Sequence, residues 1–279
     1  MAKLIDYHCR YADYSGMSKD DAAAKGLSLP EAYCIAEQIA LLAGPQAVLP
    51  FDPIVEAEAM GAKVKMDDSP LGPRKDEDIV TSIEQLLDLT PMNFEEGRLA
   101  ETLKALKIIN DNGGEATFEI QGPVTIINGV ADIMKVLIGW RKKADVMEQF
   151  FGRLVEDLVE LAVRVNQCGC KIIYYTDSPG SLDILGPKYA KQITEGFTVP
   201  FLKAIDEKLP ADCVIHLCPK TSFLLAGCEK AQWKKLHFDQ PIPYKTACEA
   251  ACGKVRVLGQ RCRKAADIQV SCINYLELE

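Results

Sequence analysis

His216 and Cys218 stand two apart at the end of a short run, Asp212-Cys213-Val214-Ile215, that Pro219 closes. Such a run reads as a β-strand, and side chains two apart on a strand share a face. An imidazole beside a thiol at a strand's C-terminal end suits a soft-to-borderline metal, zinc first. Two donors do not complete a site. Cys262 supplies a third, because it follows the strand-like Val255-Arg256-Val257-Leu258 through Gly259-Gln260-Arg261. Cys272, inside the last strand-like run, is the alternative third donor. A His/Cys/Cys set leaves one of zinc's four positions open, as catalytic rather than structural zinc sites do.

The elements that must position these donors follow a βα rhythm. From about residue 45, β-rich runs (Ala47 to Asp52, Ala116 to Ile120, Lys171 to Thr176, Cys213 to Cys218, Lys235 to Phe238, Val255 to Leu258, Ile268 to Leu276) alternate with helical patterns. The clearest helix runs from Lys143 to Val165, with Phe150, Leu154, Leu158, Leu161 and Val165 at helical spacing. Strands alternating with helices imply a parallel sheet. Seven or eight such units predict a (β/α)8 TIM-type barrel, shortened, as a single domain over residues 1–279 with a helical N-terminal extension over 1–44. No Gly-rich dinucleotide or phosphate loop follows the first strand, which counts against an open doubly wound sheet.

A βα barrel builds its active site at the C-terminal ends of its strands. Those ends read Asp52, Gln121, Asp177, His216 with Cys218, Asp239 and Cys262. Asp177 and Asp52 are the candidate catalytic acids, and Gln121, Asp239 and Tyr174 the candidate substrate contacts. Plainer roles stand beside these: Asp52 as a cap for the next helix, Gln121 and Asp177-Ser178-Pro179-Gly180 as turns.

The other cysteines read as structural. Gly169 in Cys168-Gly169-Cys170 looks like a helix C-cap, which puts both thiols at the bottom of the barrel. Cys248 and Cys252 share a helical face, and Cys9, Cys34, Cys213 and Cys228 read as small buried hydrophobes. His8 and His237 are lone imidazoles. Eleven cysteines, an odd number, without a secretory signal do not make a disulfide framework, which points to a reducing cytoplasm such as an anaerobe's. A net charge of −8 argues against a nucleic-acid surface. No apolar run reaches the ~18 residues of a membrane span.

From Pro30 to Cys262 the chain resembles the uroporphyrinogen decarboxylase superfamily, and within it the zinc-dependent methylcobamide:coenzyme M methyltransferase branch. The resemblance rests on Pro30-Glu31-Ala32-Tyr33, Leu49-Pro50-Phe51-Asp52, Glu56 to Ala62, Gly72-Pro73-Arg74, Gln121-Gly122-Pro123-Val124-Thr125, Asp177-Ser178-Pro179-Gly180 and His216-Leu217-Cys218. The His-x-Cys pattern with a later Cys separates these methyltransferases from the decarboxylases. The arginine-rich N-terminal loop with which decarboxylases hold porphyrin carboxylates is absent. In the coenzyme M enzymes the third ligand lies in a Gly-Cys-Gly turn, for which Gln260-Arg261-Cys262 is the substitute here. The resemblance implies a βα barrel, a Zn²⁺ on His216, Cys218 and a downstream Cys, and methylcobalamin or another methyl-corrinoid carried by a separate corrinoid protein. The implied acceptor is a small molecule, a thiol such as coenzyme M or tetrahydrofolate. A decarboxylase, or a barrel that binds corrinoid or zinc without turnover, are the rival readings.

Overall fold

The computed structural model describes residues 19–67 and 72–279; His8 and Cys9 lie outside them. Nine strands occur among these residues: β1 (Val48–Leu49), β2 (Val64–Lys65), β3 (Arg74–Lys75), β4 (Thr117–Gln121), β5 (Ile172–Thr176), β6 (Val214–Leu217), β7 (Ala231–Pro243), β8 (Val257–Leu258) and β9 (Gln269–Leu278). Seven form one sheet in the order β1-β4-β5-β6-β8-β9-β7, and β2 pairs with β3 apart from it. β1, β4, β5, β6 and β8 run parallel, whereas β9 is antiparallel to both β8 and β7.

Alternation along the strands sorts the two faces. Phe118 and Ile120 of β4, Ile173 and Tyr175 of β5, and Ile215 and Leu217 of β6 join the main core. There they meet Phe150, Leu154, Leu158 and Leu161 of the helix Ala144–Gln167 and Phe201 and Ile205 of the helix Val199–Lys208. Spacings of three and four place the first set on one helical stripe, which is why that stretch folds as an amphipathic helix. Ile172, Val214 and Leu258 face the other way and pack against Tyr244, Ala247, Cys248 and Ala251 of the helix Tyr244–Ala251, with Val270 and Ile273 of β9. The N-terminal helices Leu29–Cys34 and Ala36–Ala43 begin with a capping box between Ser28 and Glu31. The Ala36 amide then donates to Glu101 on the helix Gly97–Asp111 at 3.0 Å.

The fold is therefore α/β with a mostly parallel sheet, but β9, antiparallel to both its neighbours, breaks the rhythm expected of an eight-stranded barrel. β7 is 13 residues long. Apart from an irregular stretch between His237 and Ile242, it pairs with β9 in an antiparallel ladder from end to end. Among the described residues no ladder joins β1 to β7. The helix Tyr244–Ala251 lies on the face that a closed barrel would turn toward its axis. The same residues contain no helix long and apolar enough to cross a membrane.

Candidate active site

A cavity of about 90 Å³ opens where β4, β5 and β6 end, on the face that carries Glu119, Gln121, Tyr174 and His216. Register explains the grouping: Glu119 lies beside Tyr174, Tyr174 beside His216, and Gln121 beside Thr176. Cys218 follows β6 at the start of the helix Pro219–Gly227 and lines the cavity with Thr125, Ser178 and Pro179. Cys262, Arg263 and Lys264 come from the loop after β8. Gly259 sends that loop inward. Its φ of 147° is a conformation L side chains rarely adopt, and a Cβ there would meet the Leu217 carbonyl at 2.8 Å. The Ser222 hydroxyl ties the turn down by donating to the Gly259 carbonyl at 2.6 Å.

The cavity has a charged wall and a neutral one. Arg263 donates to Glu119 at 2.5 Å, and its guanidinium stands 5.5 Å from the centre of the Tyr174 ring. On the neutral wall His216, 2% exposed, has its Nε2 2.9 Å from the Tyr244 hydroxyl. Burial pulls the imidazole down to about 4. At neutral pH the ring is uncharged, the form in which histidine ligates metals. Burial also pushes the Tyr174 phenol up, so it stays a neutral hydrogen-bonding group.

Of the residues expected from the sequence, His216, Cys218, Cys262, Gln121 and Tyr174 line this one cavity. The others sit elsewhere. Cys272 lies in β9 opposite His237 and is not part of the lining. Asp239 is exposed, in the irregular stretch of β7 between His237 and Ile242. β7 is set apart from the parallel strands by β9, which lies between it and β8, so Asp239 is not part of the cavity lining. Asp52 is buried and grips Arg98 through both oxygens, at 2.7 and 3.1 Å, while Arg98 also reaches Glu58 at 2.6 Å. Asp177 is buried below the cavity and accepts from the Val124 and Thr125 amides, at 3.2 and 2.9 Å, and from the Thr125 hydroxyl at 2.9 Å. It thus caps the helix Pro123–Val130 from the neighbouring strand end. Burial raises Asp177 to about 6 against these hydrogen bonds, which pull it down.

Glu119 and Arg263 line the cavity and Tyr244 touches His216 from behind it, and none of the three was singled out in the sequence. Glu119 had a signal, since Phe118 and Ile120 alternate with it and mark Glu119 and Gln121 as one face. Arg263 and Tyr244 had none, because a loop and an antiparallel return bring them in.

As metal donors, one neutral imidazole and two thiols on a single cavity fit zinc in kind. Among the described residues, however, no three His, Cys, Asp or Glu side chains are gathered closely enough to hold an ion.

Comparison with known proteins agrees with the fold. The chain is 27% identical over 241 residues to the methylcobamide:CoM methyltransferase MtbA of Methanosarcina mazei, covering 80% of this chain and 69% of that protein. It is 27% identical over 243 residues to the protein of the same name from Methanosarcina acetivorans, covering 81% and 69%. A solved methyltransferase from Methanosarcina mazei shares the fold with a TM-score of 0.61 at 23% identity, over 76% of this chain and 66% of that one. About a third of each relative's length thus lies outside the match. A sequence profile described as Uroporphyrinogen decarboxylase (URO-D) matches residues 37–261, the span that contains every strand end lining the cavity, and on that match the chain belongs to the uroporphyrinogen decarboxylase family.

Proposed function

We propose that this chain is a methyltransferase that moves a methyl group from a methyl-corrinoid, carried by a separate corrinoid protein, to a small thiol. The observation that carries the reading is the meeting of His216, Cys218 and Cys262 on one small cavity at the strand ends. The sequence likeness to methylcobamide:CoM methyltransferases supports it.

His216, Cys218 and Cys262 would hold Zn²⁺, with Cys262 drawn in from its loop. Bound there, the ion supplies a Lewis acid that keeps a substrate thiol deprotonated, which matters because a free thiol with a pKa near ~8.5 is mostly protonated at neutral pH. The protein's own residues do the rest. Tyr174, Leu217 and Pro219 wall the cavity against water, and Gln121 offers an amide to orient the acceptor. Cys218 sits at a helix N-terminus, where backbone N–H groups favour an anionic sulfur. Asp177 acts as a positioning residue: through Thr125 it fixes one wall of the cavity. Asp52, locked to Arg98, holds the loop that places Pro53 on the opposite side. In the transfer the thiolate forms an S–C bond as the Co–C bond breaks. The electron pair stays on cobalt, which is reduced from Co(III) to Co(I).

Protein isolated without chelator carries about one Zn²⁺ per chain, bound by nitrogen and sulfur, and converts methylcobalamin plus a small thiol to the demethylated corrinoid, read by absorbance. His216→Ala and Cys218→Ala each lose the metal and the reaction while retaining the far-UV circular dichroism of the parent. Failure of every thiol and of tetrahydrofolate to remove the methyl group, with CO₂ released from a tetrapyrrole instead, would sink the reading.

A further inference from the structure

Tyr244 opens the helix that occupies the axial face of the sheet, and it is 3% exposed. Its hydroxyl lies 2.9 Å from His216 Nε2 and donates to the Arg261 carbonyl at 3.4 Å. The Tyr244 and His216 rings meet edge-on with centroids 5.8 Å apart, and Tyr174 closes the other side of the imidazole at 5.2 Å. A histidine ring has only two nitrogens through which to bond, and Tyr244 occupies one of them. Arg261 immediately precedes Cys262, so the same hydroxyl also touches the backbone of the loop that carries the third thiol.

We propose that Tyr244 is a positioning residue that holds this site closed to metal: its hydroxyl caps Nε2 of His216 and anchors the Cys262 loop, so the donors converge only when Tyr244 lets go. The inference rests on the zinc-site reading above. It explains how three donors line one cavity without being gathered around one point. The anchor belongs to this chain's C-terminal arrangement, in which the return from β7 lays the helix Tyr244–Ala251 against β5 and β6. One neutral hydrogen bond contributes on the order of 1 kcal/mol, so the need to break it lowers the metal affinity of the parent chain by about five- to tenfold.

The test is titration with Co²⁺ alone, read by its ligand-field and thiolate charge-transfer bands. Tyr244→Phe keeps the ring and its packing but removes the hydroxyl. It binds Co²⁺ about tenfold more tightly than the parent chain, and His216→Ala abolishes that binding in both backgrounds. A second readout needs no substitution. The chain has only three histidines, so long-range ¹H–¹⁵N spectra resolve the His216 nitrogens during a Zn²⁺ titration. Nε2 moves from its hydrogen-bonded to its metal-bound position as the ion is added. Equal or weaker Co²⁺ binding by Tyr244→Phe, or metal arriving at Nδ1 with Nε2 unmoved, overturns the role of Tyr244 alone. Co²⁺ binding that survives His216→Ala unchanged overturns the metal site itself.

Discussion

Three buried groups should leave distinct marks on stability against pH. Glu56 is fully buried; its Oε1 accepts from the Gln121 amide at 2.9 Å, and Oε2 has no hydrogen-bond partner among the described residues. Burial raises it to about 8, so the folded protein keeps a proton that the unfolded chain loses above about 4.5, and stability falls as pH rises through that interval. Asp177, raised to about 6, acts in the same direction but only up to that pH. His216, lowered to about 4, has the opposite sign: the unfolded chain binds the extra proton, and stability rises up to about pH 6.5. The window from about 6.5 to 8 therefore belongs to Glu56 among the three, with a loss of about 2 kcal/mol across it. Urea unfolding should show that slope in the parent chain and a clearly shallower one in Glu56→Gln, which carries a permanently neutral amide. An unchanged slope in Glu56→Gln would mean that Glu56 is ionised in the fold. At this scale the sequence was legible where a polar residue sits at or just past the end of a buried parallel strand, as with His216, Cys218 and Gln121. It was less so for Asp52 and Asp177, whose places were readable but whose partners, Arg98 and Thr125, are remote in sequence.

The elements that seat the cavity depend on close approach between segments, and two glycines test this in opposite directions. Gly122 precedes the helix Pro123–Val130 with an ordinary φ of −84°. A Cβ there would nonetheless collide with the Asp177 side chain and the Tyr175 hydroxyl. Gly122→Ala should force Asp177 off the helix it caps and cost about 1–3 kcal/mol, read as a lowered urea midpoint. Gly152 is exposed in the middle of the helix Ala144–Gln167, and among the described residues nothing lies within 4 Å of a Cβ built on it. Gly152→Ala should raise stability by about 0.5–1 kcal/mol. Equal effects from the two would show that the Gly122 contact relaxes freely. The helix around Gly152 was plain in the sequence because its apolar stripe is continuous from Phe150 to Val165. So were β4, β5 and β6, each an apolar run closed by Gly, Pro or Asp. The direction of β9 was not, because strand residues look alike whether they run parallel or antiparallel. Only the long-range ladder from Ala231 to Leu278 decides it.

The whole molecule shields its sheet with two layers of different origin. The layer on the Ile173 and Ile215 side forms from helices interleaved with the strands, as the βα rhythm requires. The layer on the Ile172, Val214 and His216 side comes entirely from the last fifty or so residues, as the helix Tyr244–Ala251 and β9 fold back over it. That return also delivers Cys262 and Arg263 to the cavity and Tyr244 to His216. Folding of the second layer and assembly of the site are thus one event. A chain ending at Cys228 keeps β1, β4, β5 and β6 but bares Ile172, Tyr174, Val214 and His216 together. An apolar sheet face of that kind drives association. The shortened chain should bind a hydrophobic dye, sediment as larger species and lose near-ultraviolet circular dichroism while keeping most of its helical signal. A monomer that unfolds as cooperatively as the parent would show that the first layer suffices alone and that the C-terminal return serves the cavity only.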